Sequence, residues 1–235
     1  MRPAAKRISL RAFWEAMRNP LIYKNFAIHL FVLAPATLVL AYFATRLDHH
    51  FGWPSLPRTL GCYAIAAALA ALGGVVVAYS YAYLLILGEG SPGSHLGGPQ
   101  RLVTGGPYAL VRHPSVIGKL LGVVALGVAV GSPTFLFGFV PALLAYSLLT
   151  NRFIQERYTE RAFGESYRAY RAAVPMILPG AGTLWAALRG KLEPVEVESA
   201  DAPAEAIPRY ELAIYLVLLA LILLGAWRFV AWITG

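Results

Sequence analysis

The sequence predicts an all-α, polytopic membrane bundle of about five transmembrane helices. Two of them form a tight hairpin, and cytoplasmic loops and a cytoplasmic helix carry the chemistry. Three observations predict this. Of the 235 residues, 58% are hydrophobic and only 14% are charged, with a mean hydropathy of +0.59. A water-soluble domain carries about 25% charged residues. Several apolar runs approach or exceed the roughly 20 residues that cross a bilayer. Basic residues gather in alternate connections, as the positive-inside rule requires. The same composition excludes a disordered chain.

Residues 1–25 form a basic lead with Arg2, Lys6, Arg7, Arg11, Arg18 and Lys24, which places this end in the cytoplasm. Within it, Arg11 to Lys24 mixes Phe13, Trp14, Met17 and Leu21 with basic residues, the pattern of an interfacial helix, interrupted by Pro20. Residues 26–87 hold two spans, Phe26 to Thr45 and Leu60 to Leu87. The first follows a long basic lead and no small-residue cleavage site follows it, unlike a signal peptide. Two shorter runs, Val116 to Val130 and Phe135 to Leu149, flank the turn signal Gly131-Ser132-Pro133 and read as an antiparallel hairpin. The cytoplasmic return carries Arg152, Arg157, Arg161, Arg168, Arg171, Arg189 and Lys191. Residues 181–209 read as a linker, acidic and Pro/Ala-rich from Glu193 to Pro208, and residues 210–235 as an extra span over Leu212 to Trp232. No internal repeat is visible.

The net charge of +8 sits between apolar runs, so anionic lipid headgroups are the natural partner. No nucleic-acid module is present. The single cysteine, Cys62, lies inside an apolar run and reads as a small buried hydrophobe. His49 and His50 are adjacent, and on a helix adjacent residues point apart, so they make at best a weak metal site. His29 and His95 stand alone, and Lys119 and Arg228 sit where a long side chain snorkels to the headgroups.

Two cytoplasmic segments are too specific for ordinary connectors. Gly88 to Pro114, GEGSPGSHLGGPQRLVTGGPYALVRHP, holds seven glycines and four prolines and ends on Tyr108, Arg112 and His113. Glycines let backbone approach a ligand and prolines stiffen the path. Asn151 to Pro179 contains a helix from Gln155, a stop or kink at Phe163-Gly164, and Tyr167 and Tyr170 on one face of the continuing helix. On periodicity alone, that second segment reads as an amphipathic helix lying on headgroups.

GGPYALVRHPSVIG resembles the signature of the isoprenylcysteine carboxyl methyltransferase and phospholipid methyltransferase superfamily. The family form is Gly-Pro-Tyr-x-x-x-Arg-His-Pro-x-Tyr-x-Gly. A hairpin follows, then Glu-Glu-x-x-Leu-x-x-x-Phe-Gly-x-x-Tyr-x-x-Tyr-x-x-x-Val-Pro-Arg. This chain has QERYTERAFGESYRAYRAAVPM in the second place. The similarity runs from about the second span to Pro179 and implies a methyltransferase core over residues 88–180. It implies S-adenosylmethionine as cofactor and a hydrophobic or lipid-borne methyl acceptor at the cytoplasmic membrane face. It implies cofactor contacts from Gln100, Leu102, Val103, Tyr108, His113, Pro114, Ser115, Gln155 and Glu156, and substrate contacts from Asn151 and Arg152. Arg112, His113 and Glu156 become the candidate catalytic residues, with Arg112 orienting the loop or facing carboxylates through its planar fork.

Departures from the pattern are Gln155 for the first Glu, Asn151 for an arginine that touches prenylcysteine substrates, Val116 for the tyrosine after His-Pro, and Met176 for the arginine after Val-Pro. Methyl transfer from a sulfonium asks mainly for alignment. A carboxylate acceptor needs no base, whereas an amine must lose a proton, for which Glu156 or His113 is available. Two alternatives remain open. One is a relative of the membrane sterol reductases, which bind NADPH and carry more spans upstream. The other is a lipid-binding or assembly protein of the same fold that has lost catalysis. Ala- and Arg-rich usage points to a bacterial inner membrane.

Overall fold

The computed structural model describes residues 8–28, 31, 33–90, 98–195 and scattered positions between 217 and 232. His29, His95, the rest of the acidic linker from 196 on, the first basic residues of the lead and most of the predicted last span lie outside the described residues. Those described are helical apart from their connections, with no strand among them.

Helix α1 (Leu10–Met17) starts where the Ser9 side chain accepts a hydrogen bond from the Ala12 N–H at 3.2 Å, satisfying one of the open donors of the first turn. It stops before Pro20, which opens α2 (Pro20–Ile28), so the predicted lead helix is divided at the expected proline. Within the predicted first span, Phe26 to Thr45, Phe31 and Leu33 are π-helical between two α-helices. α2 ends at Ile28 and α3 (Ala34–His50) begins with Pro35 in its first turn, where a missing N–H is tolerated. Helix α4 (Leu60–Leu87) has the predicted bounds and 28 residues. At 1.5 Å per residue it is roughly 42 Å long, more than the roughly 30 Å apolar core of a bilayer.

Helix α5 (Pro107–Leu110) is one turn, α6 (Pro114–Val130) is the first hairpin arm, and α7 (Val140–Thr150) follows a π-helical turn, Phe135–Phe139. The second arm does not end at Leu149. It passes through another π-helical turn, Asn151–Gln155, into α8 (Glu156–Ala173). Among the described residues, Leu60–Leu87 and Phe135–Ala173 are long and apolar enough to cross a membrane, and Pro114–Val130 is apolar but shorter. Helix α9 (Ala181–Leu188) occupies the start of the stretch expected to be linker.

The chain divides into two compact units. One comprises Phe26–Gly74, Lys119–Leu148 and Pro208–Gly235. Its core is built from Leu40, Ala41, Ala44, Phe135 and Val140. Gly131 turns the hairpin with φ +69°, and Gly127 lets the arms close, since a Cβ there would lie 2.5 Å from the Leu136 side chain. Asp48 fastens the turn. Its buried carboxylate accepts hydrogen bonds from the Ser132 and Thr134 hydroxyls and, at 2.9 Å, from the Thr134 N–H. Asp48→Ala leaves these donors unpaired, and each hydrogen bond to a charged group contributes about 1.5–3 kcal/mol. A loss of at least about 2 kcal/mol in the unfolding free energy is expected in detergent denaturation. An unchanged midpoint would mean that the turn holds without its carboxylate.

The other unit comprises Met1–Asn25, Val75–Gly118 and Leu149–Ile207 and contains both motif segments. Its core joins Tyr83, Val103, Tyr108, Phe163, Tyr167, Tyr170 and Val174. Helix α8 bends inside this unit at Gly164 (φ +54°, ψ −125°), as the Phe163-Gly164 pair predicts. Beyond the bend, the Arg171 guanidinium reaches the Glu160 carboxylate at 2.6 Å. Eleven residues of straight helix would separate their Cα atoms by roughly 16.5 Å, a path that the bend at Gly164 shortens and the two long side chains close.

Candidate active site

The Gly-Pro-Tyr segment is held from beneath by aromatic rings. Gly106 adopts φ +60°, and its backbone lies so close to the Tyr83 ring that a Cβ would be 2.1 Å from Cε1. Pro107 then opens α5, and Tyr108 points inward, its hydroxyl donating to the Ser80 carbonyl at 3.3 Å. The Tyr170 hydroxyl donates to the Tyr108 carbonyl at 2.7 Å. Burial raises the pKa of the Tyr108, Tyr167 and Tyr170 hydroxyls, which keeps them as neutral donors.

The Arg-His-Pro segment is stitched to the chain end of the second motif. The Arg112 N–H donates to the Pro175 carbonyl at 2.9 Å and the His113 N–H to that of Met176 at 3.0 Å. The Arg112 guanidinium donates to the carbonyls of Arg171 and Val174 at 2.9 and 2.5 Å and grips the Glu156 carboxylate through Nε at 2.9 Å and Nη2 at 2.8 Å. Two of the departures from the family pattern thereby become intelligible. At Met176 and its neighbour Pro175 it is the backbone that is used, and Val116 is buried in the first turn of α6.

Glu156 is the hub. Its side chain is 1% exposed and, besides Arg112, takes His113 Nε2 at 3.2 Å and Arg152 Nη1 at 2.9 Å. Burial alone pushes its carboxyl pKa up, but the His113 hydrogen bond and the Arg112 and Arg152 guanidinium groups outweigh that and hold it at about 2. An ionised carboxylate can only accept, so His113 donates from Nε2, and in the neutral ring Nδ1 keeps its lone pair. Glu156 is thus an ionised acceptor against which the His113 ring is held.

A depressed carboxyl contributes stability that is complete above its unfolded pKa near 4.5 and is lost as pH falls toward about 2. Acid titration of the folded protein should thus show a loss between those values that is missing in Glu156→Gln, a variant less stable at neutral pH. Identical acid profiles would show that Glu156 is not held down.

The structure gathers Arg112, His113, Glu156 and Arg152 into one cluster, and Val103 and Tyr108 into the aromatic core beside each other. Arg152, expected to touch substrate, spends one nitrogen on Glu156 and remains half exposed. Asn151 and Gln155 lie in the π-helical turn, whose extra residue resets the helix face just before Glu156. Leu102 packs on the aromatic core, Pro114 is buried, and Ser115 is half-buried at the start of α6. Gln100 is exposed and makes no hydrogen bond to the cluster among the described residues; its N–H is fixed instead on the Gly88 carbonyl at 2.7 Å. Sequence reasoning missed Tyr83, Ser80 and the carbonyls of Arg171 and Val174. The YSYAY stretch, with Tyr79 and Tyr83 one turn apart, is the one signal that could have marked the first two. No group of three metal-ligating side chains occurs among the described residues, and His49 and His50 are exposed.

Comparison with known proteins bears on this site. The phospholipid methyltransferase family model matches residues 62–166. An 83-residue stretch is 41% identical to the protein-S-isoprenylcysteine O-methyltransferase of Schizosaccharomyces pombe, covering 33% of this chain and 33% of that protein. The chain thus spans about a third of the length of the curated relative it matches. No solved structure matches it. The stretch similar to the phospholipid methyltransferase family begins in α4, carries the first motif and the hairpin, and runs through the Glu156 hub into α8, so the likeness covers the elements that build the site.

Proposed function

We propose that this protein transfers the methyl group of S-adenosylmethionine to a lipid-borne acceptor at the cytoplasmic face of a membrane. The observation that carries the reading is the contact between His113 and Glu156, 43 residues apart, which joins the two motif segments in one compact unit. The cofactor fits the polar groups left unspent there. The Gln155 amide, the Ser115 hydroxyl and the second ring nitrogen of His113 have no partner within the protein among the described residues. Gln155 can accept from an ammonium group, a task for which Glu156, saturated by its three partners, is not free. When bound, the cofactor supplies an electrophilic methyl on a sulfonium. The chain's own residues do the rest: Arg112 ties the loop to both ends of α8, Glu156 fixes the His113 ring, and the tyrosine core makes the floor rigid.

Charge favours an anionic acceptor. Arg112 and Arg152 oppose the single Glu156, and Arg152 keeps half its surface open. A carboxylate would be attracted there and needs no base, in keeping with a Glu156 held near pKa 2. The test is calorimetric titration of the detergent-solubilised protein with S-adenosylmethionine and, separately, NADPH. S-adenosylmethionine should bind and NADPH should not, and His113→Ala should weaken binding about tenfold, or 1.4 kcal/mol. Binding of NADPH would favour a reductase-like relative, and binding of neither a non-enzymatic lipid-binding protein. Lipid mass spectrometry with and without the gene should then find species displaced by one methylene mass.

A further inference from the structure

Helix α9 lies in the stretch whose composition reads as linker, yet its exposed face is its apolar one. Ala181, Leu184, Trp185 and Leu188 follow the spacing i, i+3, i+4, i+7 of one helix face, and all four are exposed, while Thr183, Ala186 and Ala187 on the other side are partly buried. Leu178, just before the helix, is 80% exposed, and Leu188 is 72% exposed. A short helix in water would show the opposite arrangement. Basic residues follow at once. Arg189 lies with its guanidinium 4.4 Å from the centre of the Trp185 ring, and Lys191 is exposed beyond it. An apolar stripe, an indole and flanking cations are what the boundary between acyl chains and anionic headgroups accommodates. The helix also packs against α5, the single turn that carries Tyr108.

We infer that α9 is an interfacial anchor that seats on anionic lipid, with Leu184, Trp185 and Leu188 in the acyl boundary and Arg189 and Lys191 among the headgroups. Through its packing on α5, the anchor ties the Gly-Pro-Tyr turn to the membrane surface. The inference rests on the chain's membrane character and not on its being a methyltransferase.

The experiment uses the full chain with Cys62→Ser, spin-labelled at Leu188→Cys and reconstituted into vesicles of phosphatidylcholine alone or with phosphatidylglycerol. Collision with oxygen, which concentrates in lipid, is compared with collision with a water-soluble nickel chelate. The same label at Leu72→Cys, midway along α4, reports the membrane reading independently, and at Glu165→Cys it reports water. The Leu188 label should favour oxygen severalfold in the phosphatidylglycerol vesicles and less in phosphatidylcholine alone, and Arg189→Glu with Lys191→Glu should abolish that difference. A Leu188 label open to nickel in both membranes overturns the anchor, as does one shielded from both reagents, which would mean that protein covers the face. Equal insertion in both membranes, untouched by charge reversal, overturns the anionic-lipid seat. None of these outcomes depends on turnover, and a Leu72 label favouring nickel would indict the membrane reading instead.

Discussion

Arg112→Ala is expected to destabilise the protein by about 3–5 kcal/mol, enough to unfold a marginal domain. The reason is what the guanidinium leaves behind. Glu156 stays buried with its Arg112 hydrogen bonds gone, and the carbonyls of Arg171 and Val174 lose a donor in a place where water has little access. Arg112→Lys keeps the charge but offers a point donor in place of a fork, so it cannot serve the carboxylate and both carbonyls together. It should recover only part of the loss. Thermal unfolding in detergent, followed by tryptophan fluorescence, measures both. The double variant Arg112→Ala with Glu156→Gln supplies the control, because removing the stranded charge should restore part of the stability. If it is as unstable as the two single changes added together, the pair does not interact as the distances imply. If Arg112 instead served only the acceptor, Arg112→Ala would fold normally and lose turnover alone.

Gly106→Ala is the second change with a large expected effect, and Gly164→Ala is its natural comparison. Both glycines have positive φ, +60° and +54°, so both alanines meet backbone strain of about 1–3 kcal/mol. Only Gly106 faces a ring. Its Cβ would sit 2.1 Å from the fully buried Tyr83, whereas nothing lies within 4 Å of a Cβ at Gly164. Overpacking adds a further 1–3 kcal/mol or so at Gly106, and the strain falls on the turn that presents Tyr108. Gly106→Ala should therefore lose both stability and S-adenosylmethionine binding, and Gly164→Ala should lose a smaller amount of stability. Equal destabilisation by the two alanines would show that the Tyr83 ring moves aside freely.

Several elements were legible because they depend on local pattern. The 28-residue apolar run from Leu60 to Leu87 became a helix with those ends, Gly131 turned the hairpin, Pro20 divided the lead, and Gly164 kinked α8. Others were not legible. In the run Phe26 to Thr45, the π-helical residues Phe31 and Leu33 between α2 and α3 were not read from hydropathy, which does not register a local change of helical pitch. The continuation of the second arm through Asn151–Gln155 was hidden because a π-helical turn has no composition of its own. Helix α9 was masked by the acidic linker that follows it.

By itself the sequence determined the class of molecule and the pair of motifs, since apolar content, glycine and proline placement and residue order are properties of the chain read along its length. Only the tertiary structure decided what Glu156 touches. In the sequence it is a candidate catalytic and cofactor-binding residue; in the fold it is a buried carboxylate surrounded by Arg112, His113 and Arg152, which hold its pKa down to about 2. The difference is physical: the proton affinity of a carboxyl group is set by burial and by the charges within a few ångströms, and those neighbours come from positions 112, 113 and 152, which only folding brings to one place.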